Sequence, residues 1–358
     1  MPKAPSDPLY SRAQAHLDAQ RWPDAAAAFA LAAAHSEARG DRASAAARWV
    51  AAGDAHRRAD QLGASEAALA QAAALWAALG EQARGAVVAA ERAAVAVERG
   101  DAAGARSLLA PFGDAPLPEG VRAVVFDGLA GIALLQGDLD DARAWVDRLG
   151  ASAPPGARPA VAFRRAALAR LDGSLEAARQ LLAGALEGAG AGLAWAGPRA
   201  AAAHEVGEID LLVGRMDAAR HGFGVAEAEW RAAGRASGAL RAACGRVRAA
   251  LGAGEGLGSI AWLDAAISAA GEAVLLRAEL LGTRGQARAA AGDAAAGAAD
   301  LDAAIALAAA AGAPGFEGRL RARRAGAGLA GGDAARTRAC LGGDRPWLAG
   351  FLAGRRLV

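Results

Sequence analysis

Aromatic side chains, lysine, asparagine and cysteine are all scarce or missing in this sequence, and each gap excludes something. Aromatics make up 4% of the 358 residues although 54% are hydrophobic. Alanine supplies most of the difference, and it is the best helix former while adding little area to a core. No run alternates apolar and polar with period two, so strands have almost no support. Lys3 is the sole lysine and asparagine is absent, the coding signature of a GC-rich bacterial genome. Cys244 and Cys340 are the only cysteines; two cannot build a disulfide framework or a metal cluster, and both are expected as buried small apolar residues. No apolar run reaches the ~18 residues a membrane span needs without glycine or charge breaking it. The start, Met1 to Pro8, has no apolar signal core, which predicts a cytoplasmic protein without membrane insertion. Forty basic against 38 acidic residues leave +2, so no large field points to nucleic acid.

What the chain has instead is internal periodicity. A helix, a short turn carrying Gly or Gly-Asp, and a second helix opening with an acid and Ala recur along it. The turns read Arg99-Gly100-Asp101-Ala102, Gln136-Gly137-Asp138-Leu139, Asp172-Gly173-Ser174-Leu175, Val213-Gly214-Arg215-Met216 and Ala291-Gly292-Asp293-Ala294. The first copy, Ala19-Gln20-Arg21-Trp22, lacks the glycine, and the last, Gly331-Gly332-Asp333-Ala334, doubles it. Each glycine can take the left-handed conformation that ends a helix, and the Asp after it can cap the next one. A second pattern follows each turn: Ala25 leads to Phe29, Ala142 to Val146, Ala178 to Leu182 and Ala219 to Phe223. The small residue allows close helix approach and the larger one fills the gap between repeats. Glycines 100, 137, 173 and 214 lie 36 to 41 residues apart. The Pro-bearing stretches Pro111 to Pro118 and Ala153 to Gly156 read as wide inter-repeat turns, and Gly252 to Gly258 as the most degenerate repeat.

These motifs together resemble the tetratricopeptide repeat, in a long-repeat form similar to bacterial regulators and kinesin light chain. The spacing exceeds the ~34 residues of the basic repeat. The resemblance implies an all-α, right-handed α-solenoid of about nine antiparallel helix pairs over residues 1–344, with a capping helix over 345–358. It also implies that the first helix of each pair lines a concave groove. The groove positions are then Tyr10, Gln14, His56, Asp127, Phe163, His204, Glu208, Arg246 and Gln286, with His204 and Arg246 projecting to the same side. The Lys and Asn clamp by which some members hold a chain terminus cannot be assembled here.

Other chemistry is weakly supported. His204-Glu205-Val206-Gly207-Glu208 approaches the His-Glu-x-x-His helix of zinc hydrolases, but Glu208 replaces the second histidine and His221 is the only nearby third ligand. Glycine is plentiful at 47 residues, yet none sits in a phosphate-loop context. From Arg319 to Arg356 nine arginines face Asp333 and Asp344; this basic end reads as a terminal cap, with an acidic partner or nucleic acid as alternatives. Trp347 and Phe351 would close the apolar end of the array. The expected function is a non-catalytic scaffold or adaptor that binds a peptide or helix of a partner on the concave face, with no cofactor and no bound metal. A regulatory solenoid serving a separate effector is one rival; a metal-dependent enzyme at His204 and Glu208 is the other.

Overall fold

The computed structural model describes residues 7–188, 196–329 and 333–341. Among these residues every regular element is helical and no strand occurs. Helix α1 (Pro8–Asp18) pairs with α2 (Trp22–Ala38), α3 (Arg42–Arg58) with α4 (Leu62–Ala78), and α5 (Gln82–Glu98) with α6 (Ala102–Leu109). The middle pairs are α7 (Glu119–Gln136) with α8 (Leu139–Ser152), α9 (Arg158–Leu171) with α10 (Leu175–Gly188), and α11 (Ala196–Leu212) with α12 (Met216–Ala232). Then come α13 (Ala236–Gly252), followed by a shorter α14 (Ile260–Ala269), α15 (Val274–Ala290) with α16 (Ala294–Ala310), and α17 (Pro314–Gly326) with α18 (Ala334–Cys340). Neighbouring helices pack in chain order, so the fold is an all-α solenoid of helix pairs. The capping helix expected over 345–358, with Trp347 and Phe351, lies outside the described residues.

The turns explain the repeat. At Gly100 (φ 83°) the chain goes left-handed; Asp101 N–H then donates back to Ala96 O at 2.8 Å, closing the helix end. The Asp101 carboxylate accepts from Gly104 N–H at 2.7 Å and so caps α6. Asp138 and Asp293 do the same for α8 and α16. Where glycine is missing, Gln20 (φ 55°) and Asp60 (φ 56°) take the same left-handed conformation. Left-handed glycines also sit between pairs, at Gly40, Gly80, Gly234 and Gly312. Helices α2 to α5 are each 17 residues long, which sets the even spacing of the left-handed turns at Gln20, Asp60 and Gly100. The two Pro-bearing stretches are inter-pair connections built on short 3-10 turns, Ala110–Phe112 and Pro155–Ala157. The degenerate repeat departs from the pattern: a 3-10 turn, Gly256–Ser259, leads into a ten-residue α14 that packs chiefly on α15, and α13 also meets α15 directly.

Packing follows the Ala-then-large pattern. Phe29, Val146, Leu182 and Phe223 are all buried, and Ala25, Ala142, Ala178 and Ala219 are sealed beside them. Phe223 is wedged between α11 and α13, where a Cβ on Gly207 or Gly245 would come within 2.8 or 2.5 Å of its ring. Glycine there is a packing requirement, since it lets a bulky ring serve two helices that flank it.

The solenoid coils tightly enough that its second turn rests on its first. Trp22, opening α2, lies against Gly234 between α12 and α13. Arg58 of α3 donates to Ala233 O at 2.9 Å, and Arg235 reaches Asp54 of α3 at 2.9 Å. Farther along, Gly63 N–H and Arg99 both meet Glu272, and Ala102 N–H donates to Ala311 O at 3.3 Å. Gly137 packs on Gly315 and on Cys340 O. The concave face is thereby folded into a lumen. No helix among the described residues is long and apolar enough to cross a membrane.

Candidate functional site

The first helices of the pairs, from α3 to α17, surround a cavity of about 580 Å³. Its register is regular. Asp127, Phe163 and His204 each lie ten positions before the left-handed glycine of their turn, Gly137, Gly173 and Gly214, and all three line the cavity together with Glu208. Those four of the nine sequence-derived positions are brought together. Tyr10 instead packs edge-on against Phe29 at 5.8 Å. Gln14 donates to Asp18 at 2.9 Å, and His56 hydrogen-bonds Gln61 across a turn at 2.8 Å. The Oε1 atom of Gln286 is buried with no hydrogen-bond partner, away from the cavity wall.

Arg246 does not project beside His204. It pairs with Glu227 of α12 at 2.8 Å and stays half exposed. The reason is phase: Arg246 stands eight positions before Gly254, between the two inward-facing rows, whereas Arg248 occupies the position equivalent to Glu208. A two-residue slip turns a helical side chain by about 200°, from one face to nearly the opposite one.

Ion pairs join successive inner helices into a ladder. Arg57 of α3 binds Glu98 and Glu91 of α5 at 2.5 and 3.2 Å. Arg164 of α9 makes two bonds to Asp127 of α7, at 2.7 and 3.0 Å, and Arg170, also on α9, pairs with Glu205 of α11. Arg248 of α13 binds Glu208 of α11 on one side and approaches Glu279 of α15 at 3.5 Å on the other. Arg323 of α17 completes the ladder onto Glu279 at 2.7 Å. Burial by itself would raise the Glu208 and Glu279 carboxyls. The guanidiniums of Arg248 for the first, and of Arg323 and Arg248 for the second, hold both well below the usual carboxylate range.

The His204–Glu208 pair belongs to this ladder. His204 Nε2 is 3.5 Å from Glu208, and its ring sits edge-on to Phe223 at 5.1 Å. His221 is exposed on α12. No group of three or more His, Cys, Asp or Glu side chains among the described residues is arranged to hold a metal ion.

Several arginines of the basic C-terminal segment are also structural. Arg321 and Arg336 clamp Glu317 of α17, which is 1% exposed, and Arg323 serves Glu279. The acids that balance them, Glu317 and Glu279, lie upstream of Arg319. Arg345, Arg355 and Arg356 fall outside the described residues.

Sequence reasoning missed Arg241 and Arg319, which line the same cavity. Arg241 lies thirteen positions before Gly254 and Arg319 nine before Gly328. Those rows are also inward, as Ala201 and Glu205 show before Gly214, so counting back from each turn glycine would have found them. Cys244, by contrast, is buried with its Sγ 3.0 Å from Thr283 Oγ1, and burial pushes its thiol up to about 11.

No protein-family model matches the chain, and a search of curated proteins finds no match either.

Proposed function

We propose that this protein is a non-catalytic binding scaffold whose lumen receives a short, extended segment of a partner protein. The observation that carries this reading is the cavity itself, about 580 Å³ walled by eight successive first helices. That size is in the range of about 300–1,000 Å³ typical of ligand pockets. An extended strand of a few residues presents side chains on both of its faces to a wall built this way. Apolar wall groups such as Val124, Phe163, Trp230 and Phe316 give side chains a surface to bury.

The engagement of Glu208 by Arg248 and of Glu205 by Arg170 supports binding over hydrolysis, because neither carboxylate is left free to activate water. Kinship with tetratricopeptide repeats is part of the same proposal, supported by the turn and Ala-then-large patterns. A bacterial cytoplasmic setting fits the lysine- and asparagine-poor composition and two buried, unpaired thiols.

The test is selection of short peptides from a random displayed library, followed by rebinding to an Ala201→Trp variant. Ala201 is half-buried in the cavity wall, so indole there fills the lumen without touching the outer face. Peptides that bind the wild type and are lost on Ala201→Trp, at unchanged helicity, support the reading. Equal binding to both proteins overturns it.

A further inference from the structure

Resting on the lumen as the binding site, we propose that Arg319 and Arg241 form an anion anchor there, and that the partner segment docks by placing an Asp or Glu side chain on them. The other cavity-lining arginines, Arg57, Arg164, Arg170 and Arg323, each have a carboxylate partner. Arg319 and Arg241 make no ion pair and no hydrogen bond to any described residue. Every acid lining the cavity is already engaged by an arginine of the ladder. The wall therefore has no carboxylate left over for these two guanidiniums.

Arg319 is the costlier of the two. It is half-buried, with its guanidinium 5.1 Å from the Phe316 ring centroid. Burial and the like charges of Arg170 and Arg323 push it down to about 10, so it still carries its charge near neutrality. A buried cation without a counter-ion is unfavourable, and a carboxylate brought in by a ligand removes that penalty. The planar guanidinium offers a fork of donors that a carboxylate meets with two parallel bonds. Arg241 is exposed on the wall of the same cavity and adds a second positive charge to it. Phe316 and Trp230 line the same space, so an apolar residue beside the acid has somewhere to go.

The experiment has two arms. In the first, peptides are selected from a library displayed as internal sequence, so that no chain terminus is present, against the wild type and against Arg319→Met. The expected result is enrichment of Asp or Glu in wild-type binders, and at least about tenfold weaker binding of those peptides by Arg319→Met, the size a charge-assisted hydrogen bond implies. In the second, succinate is titrated calorimetrically into the wild type and into Arg319→Met/Arg241→Ala. Succinate binding that disappears in the double variant, without any peptide binder, supports the anion anchor with a free acid as its source and overturns the peptide reading alone. Peptide binders without acidic bias, or with equal affinity for Arg319→Met, overturn the anchor. So does the absence of both peptide and succinate binding.

Discussion

Arg248 on α13 takes hold of Glu208 on α11, its Nη1 lying 3.1 Å from Oε2, with both groups withdrawn from solvent. The same guanidinium reaches Glu279 on α15, so one side chain couples three consecutive repeats. Links of this kind between successive repeats are where the cooperativity of a repeat array concentrates.

Removing that link should be costly. Arg248→Ala leaves Glu208 buried without its main partner, and a loss of about 3–5 kcal/mol is expected. Urea unfolding followed by circular dichroism measures it. A loss below about 1 kcal/mol, the range of an exposed pair, would show that the ladder does not hold the repeats together.

Acid should weaken the fold through the same groups. Glu208, Glu279 and Glu317 are held below the usual carboxylate range by their arginines. Their contribution is therefore complete above the unfolded pKa of about 4.3 and is lost as pH falls through the lower folded values. Burial raises Asp60 and Asp210; these act with opposite sign and relieve a cost on acidification. With the depressed groups dominant, the urea midpoint should be flat from about pH 7 to 5 and fall from about pH 4.5 to 3. A midpoint that holds or rises on acidification contradicts the ladder's role.

Arg319→Met should stabilise the empty protein, because it replaces an uncompensated cation by an apolar side chain of similar length. A gain of roughly 1 kcal/mol or more is expected. Arg323→Met should do the reverse, since Arg323 is 9% exposed and bound to Glu279. Thermal melts of the two variants moving in the same direction would remove the distinction between a paired and an unpaired arginine in the lumen.

Contact between the two superhelical turns can be isolated with two glycines. Gly137 (φ 74°) and Gly214 (φ 78°) share the left-handed conformation, so alanine at either incurs about 1–2 kcal/mol of backbone strain. Only at Gly137 would the new Cβ also meet a distant backbone atom, Cys340 O at 2.6 Å; at Gly214 nothing lies within 4 Å. Gly137→Ala should therefore be the more destabilising and should speed proteolysis around α18. Equal effects of the two substitutions would mean that the turns do not rest on each other in solution.

The sequence alone determined the local architecture. Alanine-rich segments, left-handed glycines and capping aspartates specify where each helix stops and the next begins, because those preferences act over a few residues. The Ala-to-Phe223 spacing likewise encoded close packing between adjacent helices. The inward faces of α7, α9 and α11 were legible for the same reason: a glycine ten positions downstream of Asp127, Phe163 and His204 sets their phase. Arg246 was misplaced by a two-residue slip in phase: counting back from Gly254 puts Arg248, not Arg246, in the row of Glu208. Tertiary structure decided the rest. That the groove closes into a lumen depends on small rotations accumulated over several repeats, which bring Gly137 to Cys340 and Arg58 to Ala233. Which charges are neutralised depends on partners 34 to 44 residues apart, such as Glu91 with Arg57 and Glu279 with Arg323. Composition counted a nearly balanced chain; only the packed helices show Arg319 held inside it without a counter-ion.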